Sequence, residues 1–306
     1  MNKTILPFII ILILSLFNSS CSGEKENGVK QKRFGATYMT MNNPFFGIVN
    51  SGIEKIVEQN NDELIVFDPA LDYKKQIHGI ENFIAQKVDA IFLNPTHWKK
   101  IKPALLAAEK AKIPVFVVDA PVFDNDLVVS TISSDNFQAG VLCANHLIYK
   151  LKIISGNIVL LINSKSKSAL ERIEGFESII NGYPDLKVVA KAECRGQTEI
   201  TMPVMEKILK KETSKITAVM CVNDPSAFGA IAALEKVNRL KGTYVYGVDG
   251  RALALKLIKE GKMTATIIQY PVKIGDLAAK AAYRYLSKGK VKTEIKVPVK
   301  IIDKEG

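Results

Sequence analysis

The stretch that decides the fold is the apolar run Phe34-Gly-Ala-Thr-Tyr-Met39 with the turn that follows it, Asn42-Asn43-Pro44-Phe45-Phe46. An apolar run, a polar turn and an amphipathic segment form the strand–turn–helix step with which an open α/β sheet begins. The proline suits the first turn of a helix, where its missing N–H costs nothing, and Asn43 then falls at the N-cap. The two phenylalanines lie at the carboxyl end of the predicted strand, where open α/β sheets bind ligands. They either present ring faces to a carbohydrate or pack the helix onto the sheet, and both interpretations stay open.

The rest of the chain alternates short apolar runs with amphipathic segments. Runs such as Leu64–Phe67 and Ala90–Leu93 are rich in branched residues, which is typical of strands buried on both faces of a parallel sheet. The pattern pauses at Val128–Asp135 and resumes in a second series that ends with a predicted strand at Glu294–Val299. Two series of βα units predict an α/β fold of two similar lobes, each a doubly wound parallel sheet.

The charge of the chain does not by itself indicate a nucleic-acid partner. The 306 residues suffice for two domains, and the formal net charge is +11. The lysines are scattered along predicted helices, without a basic stripe interleaved with aromatic residues and without a DNA-binding motif. A solvated, lysine-rich surface explains the charge better, so we expect no nucleic acid as partner.

Residues 1–21 have the pattern of an export signal. Lys3 precedes the apolar run Ile5–Phe17, which is short for a membrane span, and small residues lead to Cys21. This resembles a bacterial lipobox, whose cysteine is lipidated, although Asn18 stands where leucine is usual; a plain cleaved signal is the alternative. Residues 22–32 then predict a flexible tether. We expect the mature protein in the periplasm or on the outer cell surface, bound to the membrane through Cys21.

No group of residues in the sequence predicts a metal site or a catalytic set. The chain lacks phosphate-binding glycine loops, GxSxG and HExxH, and its three histidines show no ligand spacing. We therefore expect no cofactor, no metal and no enzymatic activity. Glycoside hydrolysis by a pair of acids stays open as an alternative. The remaining cysteines form no CxxC pair, and we expect the first and last of them to be buried apolar residues: Cys143, Cys194 and Cys221.

Polar residues follow several predicted strands at their carboxyl ends. In two facing lobes such residues converge on one cleft, although an acid in this position can also simply cap the next helix. We accept the capping interpretation for Asp68, which precedes a proline. For the other strand ends we prefer a binding site, formed by Asp119, Asn223, Asp249 and Gln269.

An ordered series of short motifs runs from about residue 34 to residue 301. They are Asn42–Phe46, Asn94-Pro95-Thr96, Ile113-Pro114-Val115, Ser134-Asp135-Asn136 with Ala139-Gly140, Glu171–Phe176, Asn223-Asp224, Gly247–Gly250 and Ala265–Gln269. In this order and spacing the series resembles the bacterial periplasmic sugar-binding proteins of the ribose-binding type, the substrate-binding components of ABC importers. The resemblance implies a protein that captures a small sugar or polyol and delivers it to an ABC transporter permease. We expect it to act as a monomer.

The resemblance also implies two lobes that three crossing segments join and that close on the ligand. The crossings fall near Ser133-Ser134, Gln269-Tyr270 and Glu294–Val297. Residues 33–133 and 270–294 would form the N-terminal lobe. Residues 134–269 and 295–306 would form the C-terminal lobe.

By the same resemblance, eight residues bind the ligand: Asn43, Phe45, Phe46, Asp119, Arg172, Asn223, Asp249 and Gln269. The rings stack on the sugar, the acids accept from hydroxyls, and Arg172 donates twice from a fixed plane. Two positions depart from the family, because Ala120 stands in place of an arginine and Gly196 in place of an aromatic residue. We hypothesise that Arg195 or Trp98 fills part of this gap, with a position on the rim or on the surface as the alternative for Trp98.

Three other functions are weighed against this one. A sugar-responsive transcription repressor of the same fold would begin with a helix-turn-helix, whereas this chain begins with a signal pattern. A ligand sensor that docks on a chemoreceptor or a histidine kinase would differ on its outer faces. An exported carbohydrate-active enzyme would turn over glycosides.

Overall fold

Two six-stranded sheets flanked by helices form the part of the chain that this computed structural model describes, residues 30–306. The strands are β1 Arg33–Thr37, β2 Glu63–Phe67, β3 Ala90–Leu93, β4 Val115–Val118, β5 Ser130–Ser134, β6 Gly156–Ile162, β7 Leu186–Glu193, β8 Ile216–Cys221, β9 Tyr244–Asp249, β10 Ala265–Ile268, β11 Glu294–Val297 and β12 Lys300–Asp303. The helices are α1 Pro44–Gln59, α2 Tyr73–Ala85, α3 Lys102–Lys110, α4 Asn136–Asn145, α5 Lys167–Ile180, α6 Thr198–Lys211, α7 Asp224–Lys236, α8 Ala252–Lys259 and α9 Pro271–Leu286. Residues 31–306 form one compact unit that contains both sheets.

The predicted export signal and the predicted lipidation site Cys21 lie outside the described residues. Within residues 30–306, no helix combines the length and the apolar character that crossing a membrane requires. The buried state predicted for Cys143 and Cys221 is confirmed, and Cys194 is buried as well.

The first sheet has the strand order β11-β5-β4-β3-β1-β2, and all neighbouring strands are parallel. β3 and β4 are buried along their whole length, as strands covered on both faces are. Phe34, Phe92 and Phe116 lie ring beside ring in the core between this sheet and the helices α1 and α9. This sheet is the centre of the first lobe.

The second sheet has the strand order β12-β10-β9-β8-β6-β7 and is parallel except for β12, which runs antiparallel to β10. Helices α4 and α5 pack against each other at Gly140, where a Cβ atom would collide with the backbone carbonyl of Arg172. The glycine therefore allows the close approach that fixes the helix carrying Arg172. The predicted architecture of two doubly wound lobes is confirmed.

The end of the chain differs from the expectation. The predicted strand Glu294–Val299 is two strands, of which β11 pairs with β5 in the first sheet and β12 pairs with β10 in the second. Assigning 295–297 to the C-terminal lobe is thus wrong, and Ser134 belongs to the first sheet as the last residue of β5. Pro298 lacks the N–H that a continuous ladder needs, so the chain changes sheets between β11 and β12.

The first helix begins as the sequence predicts. Asn43 is the N-cap of α1, its Oδ1 accepts from the N–H of Phe45 at 3.1 Å, and Pro44 is the first helical residue. The helix after β2 differs in detail, because its N-cap is Asp72. Asp68 instead accepts from the N–H of Ala70 within the preceding turn. Helix α1 thus follows the carboxyl end of β1 after a loop of residues 38–43.

Candidate functional site

A cleft lined by loops at the carboxyl ends of both sheets contains most of the predicted site residues. The side chains that line it include all eight predicted ligand-binding residues together with Arg195 and Gly196: Asn43, Phe45, Phe46, Asp119, Arg172, Arg195, Gly196, Asn223, Asp249 and Gln269. The cavity between them measures about 50 Å³, so the two lobes already lie close together. The carboxyl-end rule for open α/β sheets therefore holds in both lobes at once.

Two acids face each other across this cleft, and each has a carboxylate oxygen that lacks a partner. Asp119 follows β4, and its Oδ2 accepts from Nδ2 of Asn94 at 3.1 Å, while Oδ1 is buried without a hydrogen bond. Asp249 ends β9, and its Oδ1 accepts from Nε2 of Gln269 at 2.8 Å, while Oδ2 is buried without one. A buried carboxylate oxygen without a donor is costly, so both atoms call for donors from a ligand.

The backbone at both acids is strained as well. Asp119 has φ 66° and Asp249 has φ 139°, both in the region that side chains other than glycine rarely adopt. At Asp119 the strain accompanies a tight turn, in which the N–H of Ala120 donates to the carbonyl of Val118 at 2.8 Å. Strained residues at strand ends are typical of functional positions, and here they coincide with the unpaired oxygens.

Burial shifts the protonation of both acids. It raises the pKa of Asp119 to about 6, against the charge of Arg172 and the hydrogen bond from Asn94, which lower it. It raises the pKa of Asp249 to about 8, with a further rise from the charge of Asp224 and an opposing effect of Arg172. A ligand that donates hydrogen bonds to these acids favours their ionised forms.

Arg172 lies buried near both acids, and some of its N–H groups form no hydrogen bond within residues 30–306. Its guanidinium donates to Oδ1 of Asn136 at 2.9 Å, to the carbonyl of Val222 at 2.7 Å and to Oε1 of Gln269 at 3.2 Å. A guanidinium has five N–H groups, which leaves two for a ligand in the plane that these three bonds fix. The side chain can therefore donate to two oxygens without losing its place.

In the amides of Asn43 and Asn223, Oδ1 accepts a helix-capping hydrogen bond, while Nδ2 still has an N–H group that could donate to a ligand. Asn43 and Asn223 both cap helices with their Oδ1 atoms, and Nδ2 of Asn223 also donates to the carbonyl of Gly196 at 3.0 Å. Within residues 30–306, Nδ2 of Asn43 makes no hydrogen bond. The capping interpretation and the binding interpretation are therefore compatible at these two residues, since a cap uses only the oxygen.

The two phenylalanines take both of the positions considered for them. Phe45 and Phe46 meet edge to face at 5.5 Å, and Phe46 stacks on Tyr38 at 6.0 Å in the core of the first lobe. They are only 7% and 4% exposed, yet both line the cleft. Each ring is thus packed in the core, and one part of the ring lies at the wall of the cavity.

Arg195 and Trp98, the two residues considered as replacements for the side chains missing at Ala120 and Gly196, occupy different positions. Arg195 lies at the wall of the cleft beside Gly196, and both have left-handed backbone, with φ 54° and 70°. Trp98 does not line the cleft, because its indole N–H donates to the carbonyl of Ser164 and its ring meets Phe123 at 5.6 Å. Trp98 instead contacts the loop between β6 and α5.

Sequence reasoning missed part of the second wall. Asn163, Ser166, Ser168 and Gln197 also line the cleft. Asn163 directly follows β6, so the strand-end pattern would have found it. The serines lie in the turn and first residues of α5 and carry no sequence signal of their own.

Other possible sites lack these features. Within residues 30–306, no cluster of three or more His, Cys, Asp or Glu side chains could hold a metal ion. A larger cavity of about 870 Å³ lies at the opposite edge of the second sheet, where β9 and β10 begin, and includes His146, Tyr244, Thr264 and Asp303. It has no unpaired buried polar atom, unlike the cleft.

Comparisons with known proteins agree with this geometry. Residues 34–290 match the family model described as periplasmic binding protein domain. The chain is 34% identical to the ribose import binding protein of Bacillus subtilis over 302 residues, which cover 95% of this chain and 97% of that protein. A solute-binding protein of an ABC transporter from Bacillus halodurans, solved with bound myo-inositol, superposes with a TM-score of 0.83 at 27% identity and covers 90% of this chain and 95% of that one. A periplasmic solute-binding protein from Actinobacillus succinogenes, solved with bound D-allose, gives 0.80 at 29% identity over 90% and 98%.

The family model covers well over half of the chain, and the relative from Bacillus subtilis spans nearly all of it. The two-lobed architecture, the position of the cleft and the match to the family model agree on the family of this chain. The chain belongs to the periplasmic binding proteins of the sugar-binding type, the solute-binding components of ABC transporters.

Proposed function

We propose that this protein binds one small sugar or polyol in its cleft through the eight residues predicted from the sequence, and passes it to an ABC transporter permease. The observation that carries the proposal is that the buried, unpaired oxygens of Asp119 and Asp249 occur in the same cleft as Arg172, whose three hydrogen bonds leave two N–H groups unused. Sugar hydroxyls both donate and accept, so a polyhydroxylated ring satisfies all of these groups together. An apolar ligand would leave them unpaired at a cost of about 1–3 kcal/mol each.

The class of ligand is inferred from the side chains that line the cleft. The rings of Phe45 and Phe46 offer an apolar surface, whereas most of the other lining side chains are polar or charged. Relatives bind ribose, myo-inositol and D-allose according to their descriptions, and all three are compact and hydroxylated. We propose a ligand of this size, bound with its hydroxyls toward the acids and Arg172 and with C–H groups toward the rings.

A thermal-shift screen tests this function. The purified protein is mixed separately with D-ribose, D-allose, myo-inositol and other pentoses and hexoses, and with leucine as a compound that should not bind. A ligand that binds only the folded state raises Tm by mass action. A rise with at least one cyclic sugar or polyol is expected; a rise with leucine alone, or with none of the sugars and polyols, would overturn the proposal.

We further propose that Cys21 carries the lipid anchor, that the protein acts as a monomer outside the cytoplasmic membrane, and that it leaves its ligand chemically unchanged. The sequence around Cys21 supports the first point. Metabolic labelling with palmitate tests it, because Cys21→Ala should lose both the label and the membrane fraction. Sedimentation of the purified protein and recovery of the bound sugar test the other two.

A further inference from the structure

Trp98 makes a contact between the lobes that the cleft chemistry does not explain. It lies in the loop after β3 of the first lobe, and its indole N–H donates to the carbonyl of Ser164 at 3.2 Å. Its backbone N–H donates to the carbonyl of Lys165 at 3.1 Å. Both acceptors belong to the loop between β6 and α5 of the second lobe. Among hydrogen bonds of residues 30–306, these two alone join the lobes away from the crossing segments.

The side of Trp98 that faces its own lobe is held in place. Its ring meets Phe123 edge to face at 5.6 Å, and its carbonyl accepts from the N–H of Phe123 at 3.0 Å. The Lys99 ammonium lies 4.7 Å from the centre of the indole ring. A side chain fixed on one lobe in this way can hold a segment of the other lobe with little further loss of entropy.

The segment that Trp98 holds is part of the cleft wall. Ser164 stands between Asn163 and Ser166, which both line the cleft. Ser164 also donates to Oε2 of Glu193, from its N–H at 3.0 Å and from its hydroxyl at 2.7 Å. The other oxygen of Glu193 accepts from the N–H of Arg195 at 3.3 Å. Through Ser164 and Glu193, Trp98 is therefore connected to two loops of the second lobe that line the cleft, the one before α5 and the one before α6.

We propose that Trp98 is a positioning residue, a clasp between the lobes that favours the closed cleft and slows the escape of the ligand. The clasp comprises Trp98, Ser164 and Lys165. It does not touch the ligand site itself, since Trp98 is absent from the cleft lining. It adds closure energy that is independent of which ligand is bound, while the cleft residues supply the selectivity. This inference rests on the proposed function for its ligand-release readout only.

Substitution of one donor isolates the clasp. In Trp98→Phe the ring still packs on Phe123 and the backbone N–H still reaches Lys165, but the indole donor is lost. The matched control is Tyr149→Phe, which removes a single surface hydrogen bond, between Tyr183 and Tyr149, elsewhere in the second lobe. The probe is whichever of D-ribose, D-allose and myo-inositol gives the largest rise in Tm, in radiolabelled form.

Release of the probe after dilution should be roughly two- to tenfold faster in Trp98→Phe, the factor expected for one net hydrogen bond. The association rate should change less than the release rate, because the ligand enters the open cleft, and the control should release the probe at the wild-type rate. A purely structural role would lower Tm without changing release. Wild-type release from Trp98→Phe would overturn the proposal.

A second measurement needs no ligand. Small-angle X-ray scattering compares unliganded wild type with Trp98→Ala, whose radius of gyration should be larger because fewer molecules are closed. Equal radii would overturn the clasp. If no sugar binds to any variant, the proposed function fails while the scattering comparison still decides the clasp.

Discussion

The two walls of the cleft hold their polar groups in different ways. On the first wall, Asn43 and Asp119 follow different strands, and among the described residues no hydrogen bond joins their side chains. On the second wall, Arg172 donates to Gln269 and Gln269 donates to Asp249, so the three form one chain of hydrogen bonds. Groups in one network respond together when one is removed, whereas separate groups respond singly. We expect large, non-additive effects on binding from the second wall and a small, additive effect from Asn43 on the first.

The largest effect is expected for Arg172→Lys. The ammonium cannot reproduce three fixed bonds and two spare donors, so Gln269 loses a partner and the buried acids lose the planar cation between them. Removing one partner of a buried charged group costs about 2–5 kcal/mol, which weakens binding roughly thirtyfold to several thousandfold. Isothermal titration with the sugar found in the thermal screen measures the loss.

Arg239→Lys is the control for that experiment. Arg239 lies in the same lobe and donates to the backbone carbonyls of Leu209, Glu212 and Ser214, far from the cleft lining. It should lower Tm and leave the dissociation constant unchanged. Wild-type affinity in Arg172→Lys would contradict the network interpretation of the second wall.

Asp249→Asn should have the next largest effect. The amide keeps the shape of the side chain, but an NH2 group replaces one of the two acceptor oxygens. This NH2 group cannot accept a hydrogen bond, so either the donor of Gln269 or a ligand hydroxyl loses its acceptor. We expect binding about ten- to a hundredfold weaker, since hydrogen bonds to charged groups contribute about 1.5–3 kcal/mol.

A double-mutant cycle with Gln269→Ala tests whether the network is shared. The two substitutions together should cost less than the sum of their separate costs, with a coupling of at least about 0.5 kcal/mol. Strict additivity would mean that Gln269 and Asp249 act on the ligand independently.

The cleft residues at the carboxyl ends of strands could be predicted from the sequence, because the local hydrophobic pattern shows where a strand ends. Asp119, Asn223 and Asp249 follow or end short apolar runs, and parallel strands bring such residues to one edge wherever the lobes face each other. The same rule covers Asn163, which was missed although it follows β6 directly. The rule needs only strand positions and direction.

Features that depend on tertiary contacts could not be predicted in this way. The hydrogen bond from Trp98 to Ser164 requires the relative placement of two lobes, which a local pattern does not contain. The change of sheets between β11 and β12 requires a choice between two sheet edges, and Pro298 signals only that the ladder is interrupted. The network from Arg172 to Asp249 likewise needs side-chain geometry across α5, β9 and the end of β10.

A pH titration should separate the two acids, one on each wall. Ligand hydroxyls donate to the ionised carboxylates, while burial raises the pKa of Asp249 to about 8 and that of Asp119 to about 6. Affinity should therefore fall as the pH falls below about 8, by up to about tenfold per pH unit while one acid titrates. In Asp249→Asn the decline should begin only near pH 6, where Asp119 titrates. An affinity that stays constant from pH 9 to pH 6 in the wild type would contradict the role of Asp249, and one that stays constant from pH 6 to pH 4 in Asp249→Asn would contradict that of Asp119.

The stability of the unliganded protein should have the opposite pH dependence. Both folded pKa values lie above the ordinary value of 3.8, so the folded state binds more protons than the unfolded chain between about pH 4 and pH 8. The contribution of the two acids is complete below pH 4 and is lost as the pH rises through about 6 and then about 8. Urea unfolding of Asp119→Asn and Asp249→Asn, compared with wild type at pH 5 and pH 8, measures this loss.

The smallest effect is expected on the first wall, at Asn43. Asn43→Ser keeps an oxygen that can cap α1, whereas Asn43→Ala removes the cap and should lower stability by about 0.5–2 kcal/mol. Both variants lose the free Nδ2 donor, so both should bind the sugar more weakly by the same factor, roughly two- to tenfold for one net hydrogen bond. Combined with Asp249→Asn, the loss from Asn43→Ser should simply add, because the two side chains share no partner. Weaker binding in Asn43→Ala alone would assign the effect to the helix cap, and a non-additive loss would show that the ligand itself couples the two walls.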